Sequence, residues 1–105
     1  MAQFDVYRNP YAASAARTPY LLDVQTDFLD RLDTRVVVPL MRRDAIVAAA
    51  RLHPAFTVAE AELVMATADL AAVRRSALGN RVGSLADHRD EIVAALDFLF
   101  AGIRP

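Results

Sequence analysis

The chain begins with an alternation of apolar and polar side chains. In "QFDVYR", residues 3–8, Phe4 and Val6 share one face while Gln3, Asp5 and Tyr7 share the other, the period-two pattern of a half-buried strand. "NPYAASAARTP", residues 9–19, has proline towards both ends and small or polar residues between, which predicts a mobile loop closing a long hairpin. "YLLDVQTD", residues 20–27, and "RVVVPLM", residues 35–41, are rich in β-formers and flank the acid-rich "FLDRLDT". Pro39 has no N–H to give to a ladder, so its strand is expected to meet an edge or a bulge there.

The middle of the chain is read from propensity. "DAIVAAARL" within residues 42–54 favours a helix with Asp44 as its N-cap. Residues 55–79 mix β-branched residues with alanine, and Glu60 to Glu62 reads as a polar turn between the strands "FTVA" and "LVMAT". The last element carries a 3.6-residue period. "LADHRDEIVAALDFLFAGI" offers Asp87 as N-cap, with Asp90 and Glu91 placed to complement the helix dipole. Ile92, Leu96, Leu99 and Ile103 then fall on one core-facing stripe flanked by Ala95 and Phe100, leaving Phe98 on the wet side. Strands followed by one terminal helix predict a mostly β, barrel-like or α+β domain rather than a βαβ fold.

Length fits that picture, since 105 residues make one domain, here spanning 1–105, with enough apolar surface for its own core. Hydrophobic residues make up 55%, yet no run reaches the roughly 18 apolar residues of a membrane span. The start "MAQFDVYRNP" lacks the basic patch and apolar core of a signal peptide, and zero cysteines make a cytoplasmic home the expectation. A net charge of -1 argues against bulk nucleic-acid binding.

Contiguous catalytic motifs are missing. No nucleophile elbow, P-loop or dinucleotide fingerprint occurs, and His53 and His88 stand at no metal-ligating spacing, so neither metal nor cofactor is expected. Both histidines read as a loop residue and a solvated residue, respectively. The carboxylates of "DFLDRLD" around Arg31 read as a solvated turn. Arg42, Arg43, Arg74, Arg75 and Arg81 read as scattered surface charge. What stands out is the apolar, aromatic-bearing end "LDFLFAGI", which suits a protein contact.

Taken in order, "QFDVYR", "LLDVQTDFLD", "RVVVPL", "VMATADLAAV", "SLADHRDEIV" and "FLFAGI" resemble the successive landmarks of the CcdB family, toxins of type II toxin–antitoxin systems. The resemblance implies a small SH3-like barrel of the kind shared with MazF and Kid toxins, a C-terminal helix and a two-fold homodimer. It implies a non-enzymatic toxin that binds the DNA gyrase A subunit, traps its cleaved DNA complex and is neutralised by a CcdA-like antitoxin, without direct nucleic-acid or membrane binding. The positions matching the family's gyrase-contacting set are Gln3, Phe4, Tyr7, Thr26, Phe28, Leu29, Asp97, Phe100, Ala101, Gly102 and Ile103.

Ala101 and Asp97 depart from the family pattern, as do Arg104 and Pro105, which extend past the family's usual final isoleucine. Ala101 stands where the best-known members carry tryptophan, and loss of an aromatic anchor of that kind costs about 2–4 kcal/mol of binding. Asp97 stands where an uncharged amide is expected. They leave open a homologue that keeps its dimer and antitoxin site but has lost or changed its target. A MazF-like ribonuclease is the third reading. It needs a base, an acid and a cationic phosphate clamp, for which Arg31, Arg35, His53 and His88 are the evident material.

Overall fold

Residues 2–46, 49 and 51–102 are described by the structure, a computed structural model. The alternating start becomes β1 (Asp5–Arg8), which pairs antiparallel with β2 (Tyr20–Asp23) through the expected long loop. β2 pairs in turn with β3 (Thr34–Arg42), and the sheet continues through β4 (Ala55–Val58), β5 (Ala61–Met65), β6 (Ala71–Arg74) and β7 (Arg81–Ser84). The strand order is β4-β5-β3-β2-β1-β7, with β6 on β3. One helix, α1 (Arg89–Ala101), follows. The result is a curled antiparallel half-barrel closed by a C-terminal helix, the fold class expected from the strand-then-helix order.

β3 shows how Pro39 is accommodated. Its first half, Thr34 to Val37, pairs with β6, and its end, Leu40 to Arg42, pairs with β5. Pro39 sits at this changeover, where one side of the ladder is interrupted and the missing N–H leaves no bond unmade; its carbonyl accepts from the Ala66 N–H at 2.9 Å. The expected interruption is present, although in a central strand rather than at an edge.

Period-two alternation divides β1 to β3 between two faces. Val6, Leu22, Val38 and Leu40 enter the main core, joined by Phe4, Leu63, Met65, Ile92 and Ala95. Asp5, Tyr7, Leu21, Asp23, Arg35 and Val37 take the opposite face, and they too are buried. α1 packs on the main core through Ile92 and Ala95, with Val93 and Leu96 half-buried beside them. Leu99 is only half-buried, Phe100 is largely exposed, and Phe98, expected in water, is half-buried. Ile103 lies outside the described residues.

Several local expectations are corrected. The helix read into "DAIVAAARL" is a single 3-10 turn, Arg43–Ala45, after which Ile46 is extended; Val47, Ala48 and Ala50 lie outside the described residues. Propensity favoured helix, but the chain leaves β3 at Arg42 through one 3-10 turn that closes at Ala45, and Ile46 returns to extended backbone where the first helical turn would run. Asp87 is not the N-cap of α1, because it belongs to a preceding 3-10 turn, Ala86–His88. The loop after β1 is pinned rather than loose: buried Asn9 donates through Nδ2 to Ser14 Oγ at 3.0 Å and to the Thr18 carbonyl at 2.8 Å, and its Oδ1 accepts from the Tyr11 N–H.

The β4–β5 hairpin turns one residue earlier than expected, at Ala59 and Glu60, both with positive φ (48° and 67°). Such two-residue turns suit Asn-Gly, and ordinary L residues held left-handed cost roughly 1 kcal/mol each. Replacing Ala59 and Glu60 by Asn and Gly should therefore raise the unfolding free energy by about 1–2 kcal/mol in urea melts. An unchanged denaturation midpoint would mean that the turn is not strained.

Candidate functional site

Two groups of side chains carry chemistry. The first lies where β2 runs into the acid-rich turn. Arg35 on β3 is fully buried and donates through Nε to Asp23 Oδ2 at 2.9 Å, with Nη2 at 2.7 Å from the same oxygen. Nη2 also donates to the Gln25 carbonyl at 3.2 Å, and the guanidinium reaches Asp27 at 3.7 Å and Asp30 at 3.5 Å. The 3-10 turn Asp27–Leu29 contributes no buried residue of its own, so a buried cation rather than apolar packing fixes it. "DFLDRLD" is therefore no free solvated turn: Arg31 is exposed, while its carboxylates are gathered by Arg35 and by Arg75, whose guanidinium bonds the Asp30 carbonyl. Burial pushes the Asp23 carboxyl above its ordinary range, and the hydrogen bond from Arg35 opposes the shift.

This turn holds up the most exposed aromatic of the described chain, Phe28, at 98% exposure. Thr26 caps it, its Oγ1 accepting from the Phe28 N–H at 3.3 Å. Gln3 braces it from β1's approach, donating its N–H to Asp27 Oδ1 at 2.8 Å and its side-chain amide to the Val24 carbonyl at 3.1 Å. Two adjoining hollows result. Gln3, Thr26, Asp27 and Phe28 line one; Thr26, Leu29, Leu96 and Phe100 border the other, over Val24 and Val36. Of the residues named from sequence, Gln3, Thr26, Phe28, Leu29 and Phe100 thus come together. Asp97, Ala101 and Gly102 are exposed at the helix end beside them, and Ile103 is outside the described residues. Phe4 and Tyr7 are buried on opposite faces of the sheet and are not offered to a partner by this chain.

The second group was not seen in the sequence. β7 pairs with β1 through Asp5↔Ser84 and Val6↔Gly83, and then shifts so that Tyr7 faces Arg81. Val82 is the extra residue of this β-bulge; it turns into the main core and lets Arg81 swing to the outer face. Just before β7 the chain runs close against β1, where a Cβ on Gly79 would come within 2.5 Å of the Arg8 carbonyl oxygen. Arg81, 55% exposed, sets its Nε 3.1 Å from Oδ1 of the buried Asp5. The other Asp5 oxygen accepts from the Tyr7 hydroxyl at 3.4 Å and from the Ala2 N–H at 3.1 Å. Burial raises the Tyr7 hydroxyl above its ordinary pKa, and the charges of Asp5 and Asp23 add to the shift, so it holds its proton at neutral pH.

Of the basic residues named for ribonuclease chemistry, Arg31, Arg35 and His88 do not meet among the described residues. Arg35 is sealed from solvent. His88 is exposed, its Nδ1 3.2 Å from Glu91 Oε1 and its ring against Phe56 at a centroid distance of 5.1 Å. His53 lies in the loop before β4, its N–H bonded to the Ala49 carbonyl.

The described residues thus form a curled antiparallel sheet closed by a C-terminal helix, with an exposed aromatic shelf where the two meet. The chain matches the family model described as CcdB protein over residues 3–102 and belongs to the CcdB family of toxin–antitoxin toxins. Among solved structures it is similar to an endoribonuclease in complex with its cognate antitoxin from a mycobacterial species. That likeness has a TM-score of 0.80 at 16% identity, covering 100% of this chain and 99% of that one. It is also similar to a second mycobacterial endoribonuclease, with a TM-score of 0.73, 17% identity, and 100% and 95% coverage.

These neighbours correct the expectation of a chain without catalysis, since proteins of this fold include enzymes that cut RNA, and the expectation against nucleic-acid contact loses its support with it. Phosphodiester chemistry needs no contiguous motif, only a cation and proton carriers brought together from separate strands. No helix of the described residues is long and apolar enough to cross a membrane.

Proposed function

We propose that this chain is the toxin of a toxin–antitoxin pair, neutralised by a CcdA-like antitoxin, and that its toxic act is RNA cleavage at the half-exposed Arg81, which the buried Asp5 and Tyr7 position without touching RNA themselves. The observation that carries this reading is the bulge at Val82, which re-aims a half-exposed guanidinium across from a buried carboxylate and a protonated tyrosine. Arg81 is held by Asp5 through Nε, and its two Nη groups make no other bond among the described residues. A guanidinium held along one edge suits bidentate contact with a phosphate. There it would stabilise the charge that develops as the 2′-hydroxyl attacks phosphorus and the 5′-oxygen leaves. That the two similar structures are endoribonucleases supports the same chemistry.

Arg81→Ala should fold normally and cut a fluorogenic RNA oligonucleotide on the order of 100-fold more slowly than the wild-type chain. No cutting by the wild type, or full cutting by the variant, would overturn the assignment.

A second reading is a grip on the DNA gyrase A subunit. It is favoured by Gln3, Thr26, Phe28, Leu29 and Phe100 bordering adjoining hollows. Ala101, where tryptophan is usual, counts against tight binding. Titrating the same preparation into a gyrase A fragment by calorimetry, with Phe28→Ala as the comparison, separates the two. Heat that is lost in Phe28→Ala supports gyrase, and an absence of heat removes it.

A further inference from the structure

The face that carries Arg81 holds one more polar side chain. Ser84 stands directly opposite Asp5 in the β1–β7 ladder, as Arg81 stands opposite Tyr7. Opposed residues of an antiparallel pair share a face, and diagonal neighbours lie about 7–8 Å apart, within reach of a long side chain. Arg81 takes the diagonal: its Nε lies 3.1 Å from Asp5 Oδ1, so the guanidinium leans along the ladder towards the Ser84 position. The bulge at Val82 is what allows this. In a regular strand Arg81 and Ser84, three residues apart, would point to opposite faces; the extra residue puts them on the same one.

Ser84 is exposed, and its hydroxyl is half used. Its Oγ accepts from the Ala86 N–H at 3.1 Å, while its O–H donates to no group among the described residues. Its backbone is pinned, since the next N–H, that of Leu85, bonds the Phe4 carbonyl at 2.8 Å. Asp5 is closed to a visitor: Arg81 covers one carboxylate oxygen, and the Tyr7 hydroxyl and the Ala2 N–H take the other. Above it the surface offers donors alone, the Nη groups of Arg81 and the hydroxyl of Ser84. Because Asp5 offsets the charge of Arg81, an anion is held there by directed hydrogen bonds more than by net charge.

We infer that a single phosphate is gripped between Arg81 and Ser84, the guanidinium donating through Nη to one non-bridging oxygen and the Ser84 hydroxyl donating to the other. The inference rests on the RNA-cleavage reading for the source of that phosphate, the diester of the strand to be cut. A guanidinium alone lets the group pivot about one edge. A second donor fixed to the sheet stops the pivot and keeps phosphorus aligned for attack.

The test separates this role of Ser84 from its bond to the Ala86 N–H. Ser84→Ala loses both. Ser84→Asp keeps an acceptor for that N–H, in a turn that serine and aspartate both make, so the two variants share only the loss of the donor. Ser84→Thr keeps donor and acceptor. The probe is a labelled all-deoxy oligonucleotide, which lacks the 2′-hydroxyl and is not cut. By anisotropy Ser84→Ala and Ser84→Asp should bind it about tenfold or more weakly, and Ser84→Thr within about twofold of the wild type. Ser84→Ala added to Arg81→Ala should cost much less than the two effects multiplied, because both residues hold one group. Cutting of the fluorogenic RNA should follow the same order.

Ser84→Ala that binds and cuts like the wild type, or effects at 81 and 84 that simply multiply, overturns the inference and leaves cleavage at Arg81 standing. Failure of the wild-type chain to bind the oligonucleotide overturns it as well. Binding with the expected losses but no cutting of RNA keeps the phosphate grip and sinks the cleavage reading.

Discussion

Replacing Arg35 with methionine is expected to lower the unfolding free energy by about 3–5 kcal/mol at neutral pH, the typical cost of leaving a buried charge without its partner. Arg35 and Asp23 are both fully buried, and the guanidinium also satisfies the Gln25 carbonyl and reaches Asp27 and Asp30. Methionine restores the volume but none of these contacts. The loss should depend on pH with a definite sign. Burial already raises the Asp23 pKa against the pull of Arg35, and the variant keeps the first influence without the second.

The folded variant therefore takes up a proton at a higher pH than the unfolded chain. Its destabilisation is complete above that raised pKa and is relieved as pH falls through it towards the ordinary aspartate range. Urea melts at neutral pH and in mild acid read both effects. Adding Asp23→Asn, which can still accept from the Gln25 N–H, should recover a substantial part at neutral pH. A loss below about 1 kcal/mol, or one indifferent to pH, would mean that water or rearrangement compensates the carboxylate.

Ile92→Ala should cost about 3–4 kcal/mol. α1 has two buried residues, Ile92 and Ala95, and only Ile92 has a side chain large enough to lock the helix to Phe4, Leu22 and their neighbours. Its truncation opens a cavity at the single strong attachment, so hydrogen exchange along the whole helix should accelerate together. Ile92→Val should cost about 1 kcal/mol, and Phe100→Ala should cost almost nothing because Phe100 is 74% exposed. Equal costs at 92 and 100 would show that the helix is held mainly by its far end.

The sequence was most legible where one face is apolar and the other polar. The alternation around Val6 and the 3.6-residue period around Ile92 each identify an element by its buried side. The short strands "AAVR" and "RVGS" carry no such signal, and neither was anticipated: they are held by neighbours distant in sequence rather than by their own pattern. Arg35 looked like one more charge on a strand, because nothing in a single strand reveals that both faces of the sheet are covered. The meeting of Arg81 with Asp5 and Tyr7 depends on a one-residue shift between the first and last strands, and no local spacing encodes that. The exposed shelf was named only through the family resemblance: periodicity placed Phe100 beside the core-facing stripe, whereas Phe28, Leu29 and Phe100 are all exposed.

The way the Thr26–Leu29 turn is held separates folding from recognition. Its conformation is fixed from below by Arg35, while Phe28 adds no buried surface, so substitutions at its tip leave the stability of the domain almost untouched. Selection can then vary the tip freely. Positions 28 and 29 can change their chemistry step by step without the domain passing through an unfolded ancestor.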